Sequence, residues 1–258
     1  MPKKEAPVIL FDLDRTMLNT GALSEAILGY LFQEYGQFNI TLEQVKGWSK
    51  SYVTEILGNQ RTHYSPAGFM AYFHSRLEKI PSQNSIPSAE QMTVDLSTFI
   101  QRSVAQFLYA ETLEVLRQLS ELGCVLCLYT QGVETWQKLK FIHAALAEFF
   151  ETHFQFVSSD KAGLEHLQFI QSVLYAHGLE NREVWLVDDS KEIISNAQSA
   201  WPGLGAFLVD RDKRTDADVL TEDQHLVGSE DVTIITSLLP LVEFAQALVA
   251  ADSSPVAE

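Results

Sequence analysis

Val8-Ile-Leu-Phe11, running straight into Asp12-Leu-Asp14-Arg-Thr16, is the stretch whose reading decides the fold. Four apolar residues in a row that end abruptly in polar ones suit a strand buried on both faces, the central strand of a parallel sheet. The same grammar recurs downstream. Cys124 to Tyr129, Phe154 to Val157, Val184 to Val187, Gly205 to Val209 and Val232 to Thr236 read as strands. Helical periodicity separates them. Leu113, Leu116, Leu119 and Leu122 line a helix stopped by Gly123, and helices follow at about 134–149, 164–177 (stopped by Gly178), 192–200 and 238–249. Alternating strands and helices predict an α/β fold, a doubly wound parallel sheet covered on both faces.

The chain from Gly21 to about Leu108 has a different rhythm. Ala22, Ala26, Ile27, Tyr30 and Leu31 form one apolar stripe, and Phe69, Phe73, Leu77 and Ile80 form another after Pro66. Pro81 to Pro87 reads as a loop, and a third helical segment spans about Ser88 to Leu108. The expected organisation is therefore a discontinuous core, 1–19 and 109–258, interrupted by a helical domain at 20–108, with a frayed tail at 250–258.

Composition narrows the function. The 258 residues are 46% hydrophobic and carry a net charge of −16, an acidity that argues against nucleic acid and anionic membrane as partners. The apolar run at the N-terminus is too short for a signal-peptide core, and no later run would cross a bilayer, so a cytoplasmic location is expected. Cys124 and Cys127 have redox or zinc spacing, but residues three apart on a strand face opposite sides, and no second cysteine pair exists. They are expected to be buried strand thiols.

Parallel sheets bind ligands at the carboxyl ends of their strands, so the residues there carry the chemistry. They are Asp12, Asp14 and Thr16 after the first strand, Thr130 and Gln131 after the second, Asp160 and Lys161 after the third, and Asp188 and Asp189 after the fourth. Clustered carboxylates do not all ionise comfortably without a counter-charge, which a hard divalent cation such as Mg²⁺ supplies. One carboxylate can then act as a covalent nucleophile and another as a proton donor and acceptor, while a lysine and a hydroxyl stabilise phosphoryl oxygens.

Phe11-Asp-Leu-Asp-Arg-Thr16 resembles the D-x-D-x-T opening motif of phosphatases of the haloacid dehalogenase (HAD) superfamily. Tyr129-Thr-Gln-Gly132 is similar to their second motif and Val187-Asp-Asp-Ser190 to their acidic fourth. The resemblance implies a Rossmann-like core with a helical cap inserted after the first strand, and hydrolysis of a small phosphorylated metabolite through a phospho-aspartate. It implies Asp12 as nucleophile and Mg²⁺ ligand and Asp14 as general acid and base with its carbonyl on the metal. Thr130, with Thr16 and Gln131, would bind phosphate, and Lys161 would neutralise the phosphoryl group. Asp188 and Asp189 would complete the metal site, with the division between them open. The haloacid dehalogenases themselves lack the second aspartate of the first motif, which argues against dehalogenation here. A phosphomutase on the same residues, or a non-catalytic binding protein of this fold, are the alternatives; a phosphonate hydrolase would need a cap lysine, for which Lys50 or Lys79 could serve. Arg15 stands where many relatives have glycine, Lys161 lacks the usual following proline, and Asp188 stands where glycine is common.

Plainer roles exist for several of these residues. Lys161 alone reads as a surface lysine, Asp188 and Asp189 as an acidic pair favourable at a helix N-terminus, and Trp136, Trp185 and Trp201 as core. The seven histidines show no metal-ligand spacing. In the helical insert Lys50, Arg61, His63, Arg76 and Arg102 are candidate substrate contacts. A monomer or a homodimer is expected, the latter through apolar residues such as Tyr64, Phe69 and Tyr72.

Overall fold

A computed structural model describes residues 5–58, 63–81, 85–161, 163–211 and 232–250. Arg61, part of the loop at 81–87 and the tail beyond 250 lie outside the described residues.

Among the described residues six parallel strands form the sheet: β1 (Val8–Phe11), β2 (Val125–Gln131), β3 (Gln155–Ser158), β4 (Val184–Asp188), β5 (Gly205–Val209) and β6 (Val232–Ile235), in the order β3-β2-β1-β4-β5-β6. The chain builds outward from β1 to one side through β2 and β3, then returns to the other side for β4, β5 and β6. That reversal opens a crevice at the carboxyl end of β1. Register aims the site there: Phe11 is level with Leu128 on one neighbour and Val187 on the other, so Asp12 emerges beside Asp188.

The expected alternation of faces is present. Ile9, Phe11, Leu126, Leu128, Trp185, Val187, Phe207 and Val209 point into one core. That core also holds residues of α5 (Thr112–Glu121), α6 (Glu134–His143) and α9 (Pro240–Ala250). Val8, Leu10, Cys127, Tyr129, Leu186 and Leu208 point into the other, against α7 (Leu164–Ala176) and α8 (Lys191–Ala200). Cys124 and Cys127 fall into opposite cores as free thiols. Burial removes apolar area from water at roughly 25 cal/mol per Å², so both cores stabilise the sheet.

Between β1 and α5 the chain forms α1 (Thr20–Tyr35), α2 (Leu42–Ser51), α3 (Pro66–Leu77) and α4 (Ala89–Ser103). Local chemistry starts each one. Asn19, Thr41, Ser65 and Ser88 accept hydrogen bonds from first-turn amides; Thr41 and Gln44 form a reciprocal capping box, and Pro66 occupies the first turn of α3. A π-helical turn, Tyr52–Ile56, follows α2. The apolar stripes of these helices, including Leu23, Ile27, Leu31, Phe69, Phe73 and Leu77, pack into the same core as α5 and α6.

Three boundaries differ from expectation. β2 continues to Gln131 because Thr130 and Gln131 pair with Val157 and Ser158 of β3, so both lie in the strand rather than after it. α6 ends at His143 rather than near 149: Ala145 adopts φ 59°, and a short 3₁₀ turn, Ala147–Phe149, follows. No glycine or proline marks that break. The third helical segment likewise ends at Ser103 and tightens into a 3₁₀ turn at Val104–Phe107.

Candidate active site

Asp12 leaves β1 with its amide donating to the Val187 carbonyl at 2.9 Å, and its residue surface is only 6% exposed. Asp188, the last residue of β4, is buried beside it. Lys161 lies between the two: its Nζ donates to Asp12 Oδ1 at 2.7 Å and to Asp188 Oδ2 at 2.5 Å. The lysine is buried, its ammonium over the Tyr129 ring at 4.9 Å, and its carbonyl accepts from the Tyr129 hydroxyl. The surface reading of Lys161 is thus overturned. Burial would strip its proton, but the carboxylates of Asp12 and Asp188 outweigh that and push its pKa up.

One ammonium serves two buried carboxylates. Burial, with the neighbouring charges of Asp188 and Asp14, pushes Asp12 up to about 8 despite Lys161. Asp189 is pushed up to about 6, first by burial and then by Asp188, while Arg15 Nε stands 3.4 Å from its Oδ2. Arg15 adopts φ 65°, a left-handed conformation that glycine takes without strain. Ser190 caps α8, and its amide donates to Asp188 Oδ1 at 2.8 Å.

Asp14 faces a second set of groups that the sequence reading passes over. Its Oδ1 accepts from Thr20 Oγ1 at 2.8 Å and from Lys140 Nζ; its Oδ2 accepts from Gln137 Nε2 at 3.0 Å. Burial opposes ionisation of Asp14, but Lys140, Gln137 and Thr20 together hold its carboxyl below the usual carboxylate range. Lys140 and Gln137 are buried on α6 between Trp136 and Phe141. The signal was there: a lysine and a glutamine on the core-facing stripe of an amphipathic helix demand a partner. Gly132 permits the approach. Its φ is +148°, and a Cβ there would stand 2.4 Å from Gln137 Nε2, which also donates to the Gln131 carbonyl at 2.6 Å.

The hydroxyls of Thr16 and Thr130 are buried, and each lacks a hydrogen-bond partner among the described residues. A buried polar atom without a partner costs about 1–3 kcal/mol, so such a group marks a place built for something else. The Gln131 side chain, by contrast, turns to the loop after β3, donating to the Ser159 carbonyl at 2.8 Å. In the helical insert Lys50, His63 and Arg102 are exposed, and Arg76 is held by Tyr72 (2.6 Å) and Glu55 (3.7 Å).

Among the described residues no three His, Cys, Asp or Glu side chains converge as a ready cation cage. Asp14 faces Lys140, Asp189 faces Arg15, and Asp12 and Asp188 share Lys161. Mg²⁺ is ordinarily held by one or two carboxylates, completed by water and phosphate. Asp12 and Asp188, hard oxygen donors with more negative charge than one lysine offsets, fit that donor set.

Residues 9–201 match the model of the haloacid dehalogenase-like hydrolase family, and the chain belongs to that family. It is a HAD-superfamily hydrolase with the Rossmann-like core of that group. Solved structures share the fold. They include a HAD-hydrolase, YfnB, from Bacillus subtilis bound to magnesium (17% identity, TM-score 0.60, covering 94% of this chain and 100% of that one). A HAD phosphatase from Thermococcus onnurineus matches at 20% identity and TM-score 0.55, covering 92% and 97%. An L-2-haloacid dehalogenase from Xanthobacter autotrophicus, with chloropropionic acid covalently bound, matches at 12% and 0.54, covering 93% and 98%. No curated protein sequence matches. Among the described residues no helix is long and apolar enough to cross a membrane.

Proposed function

We propose that this hydrolase cleaves a small phosphate monoester, with Mg²⁺, through a phosphoryl group carried on Asp12. The observation that carries the reading is the second aspartate. Asp14 is present, two residues beyond Asp12, and is held by three donors of its own. Displacement of halide needs no proton for its leaving group; departure of an alkoxide does.

The proposed steps use these residues as follows. Asp12 and Asp188 would hold the metal, which supplies charge neutralisation for the ester oxygens. Lys161 and the unpartnered Thr130 hydroxyl bind phosphoryl oxygens, and Thr16 offers a second buried hydroxyl. The Asp12 carboxylate attacks phosphorus as the ester P–O bond breaks, and Asp14 gives its proton to the departing oxygen. The dianionic ester favours the protonated form of Asp14 by placing like charge beside it. Asp14 then takes a proton from water, whose oxygen attacks phosphorus, and the Asp12–P bond breaks to release phosphate. The helices at 20–108 would act as a cap that excludes water and selects the leaving group.

The test is turnover of a panel of phosphate monoesters, aryl and alkyl, with Mg²⁺, with chelator, and in Asp12→Asn. Magnesium-dependent phosphate release that disappears in Asp12→Asn is expected. Chloride release from 2-chloropropionate without phosphate release from any ester would replace this reading with dehalogenation.

A further inference from the structure

Two buried lysines stand in this site, and the catalytic steps above use only Lys161. Lys140 is 1% exposed, and its Nζ contacts Asp14 Oδ1. An ionised carboxylate accepts about four hydrogen bonds, two on each oxygen. Thr20 and Lys140 fill both places on Oδ1, whereas among the described residues Oδ2 receives Gln137 alone. The open acceptor position on Asp14 is therefore on Oδ2. The donors come from two elements, Thr20 from the first turn of α1 and the other two from α6, so both oxygens of the carboxyl are held. Lys140 in turn lies 5.2 Å from the Trp136 ring, and Trp136 meets Tyr64 of the helical insert at 5.8 Å.

We propose that Lys140 is a positioning residue for Asp14, holding its carboxyl so that Oδ2 alone faces the leaving-group oxygen. This rests on the phosphatase reading. The proton then travels from Oδ2 to the departing oxygen as the P–O bond breaks, while Oδ1 stays bound to Lys140 and Thr20. Lys140 acts through Asp14 Oδ1, so in the cleavage step, which kcat/KM reads, its effect depends on whether the leaving group needs a proton; hydrolysis of the phospho-aspartate is common to every ester. A phenol as acidic as 4-nitrophenol departs as an anion without help; an alkyl alcohol does not.

The experiment compares wild type with Lys140→Met and Lys140→Arg on 4-nitrophenyl phosphate and on alkyl phosphates, in the full chain with Mg²⁺, with thermal unfolding as a folding control. Lys140→Met is expected to lower kcat/KM on alkyl esters about 10²-fold more than on 4-nitrophenyl phosphate. Lys140→Arg should recover part of the loss. Thr20→Val, near-isosteric and lacking one donor to Oδ1, is expected to shift the same ratio by a smaller factor, and decides the matter should Lys140→Met not fold. Equal losses on both ester types would mean a structural role and overturn the proposal alone. Absence of wild-type turnover on every ester would overturn the phosphatase reading and this proposal with it.

Discussion

Replacing the nucleophile should make the metal-free protein more stable. Asp12 ionises ordinarily at 3.8 but only at about 8 in the fold, because it is buried and faces Asp188 and Asp14. A carboxyl whose folded pKa is raised contributes stability below its unfolded pKa and loses it as pH climbs toward the folded value. Each pH unit in that window is worth about 1.4 kcal/mol. Between pH 4 and pH 7 the wild type therefore gives up on the order of 4 kcal/mol at this residue, which Asp12→Asn does not. The amide keeps an acceptor for Lys161 and leaves that lysine a whole carboxylate, Asp188, as partner. For a chain of this size 1 kcal/mol moves Tm by about 2–4 °C, so a gain of about 8 °C or more is expected at pH 7. The assay is thermal unfolding with chelator at pH 5 and pH 8. The gain from Asp12→Asn should be larger at pH 8, and Mg²⁺ should shrink it by stabilising the wild-type carboxylate. A variant less stable than wild type at pH 8, or a gain independent of pH, would refute the reasoning.

Thr130→Val removes a buried hydroxyl that has no partner among the described residues; Tm should hold or rise while kcat/KM on phosphate esters falls about 10²-fold, the usual cost of losing one donor to developing charge. Arg211 and Glu111 form a buried pair at 2.5 Å, and Arg211 also donates to the Thr16 carbonyl at 2.6 Å. Arg211→Met alone should cost about 3–5 kcal/mol in urea unfolding, and the double variant with Glu111→Leu distinctly less, because the single change strands a buried carboxylate. Burial opposes ionisation of Glu111 but Arg211 holds its pKa below 4.5, so the stability it contributes is present above that pH and is lost as pH falls below it.

Much of the site is legible before folding is considered. The apolar runs end at Phe11 and at Val187, and any parallel sheet places the next residues at one edge, so Asp12 and Asp188 follow from local patterning. Lys161 is a candidate by its place after the third strand, but its burial is not legible there. What escaped is the environment of Asp14. Lys140 and Gln137 lie 126 and 123 residues from it in the chain. Only the packing of α6 against the sheet brings them together. Arg15 meeting Asp189 is of the same kind, since it depends on a left-handed turn beside β4.

The order and type of elements, the two core faces and the strand ends that carry carboxylates belong to the sequence, because periodicity and strand termination are local properties. The charge states of those carboxylates belong to the tertiary structure. Whether Asp12 is protonated at neutral pH, and whether Asp14 is held ionised, depends on which ammonium group reaches which oxygen in a volume closed to water. Desolvation and Coulombic attraction at distances of about 3 Å are set by packing, and no local pattern in the chain encodes them.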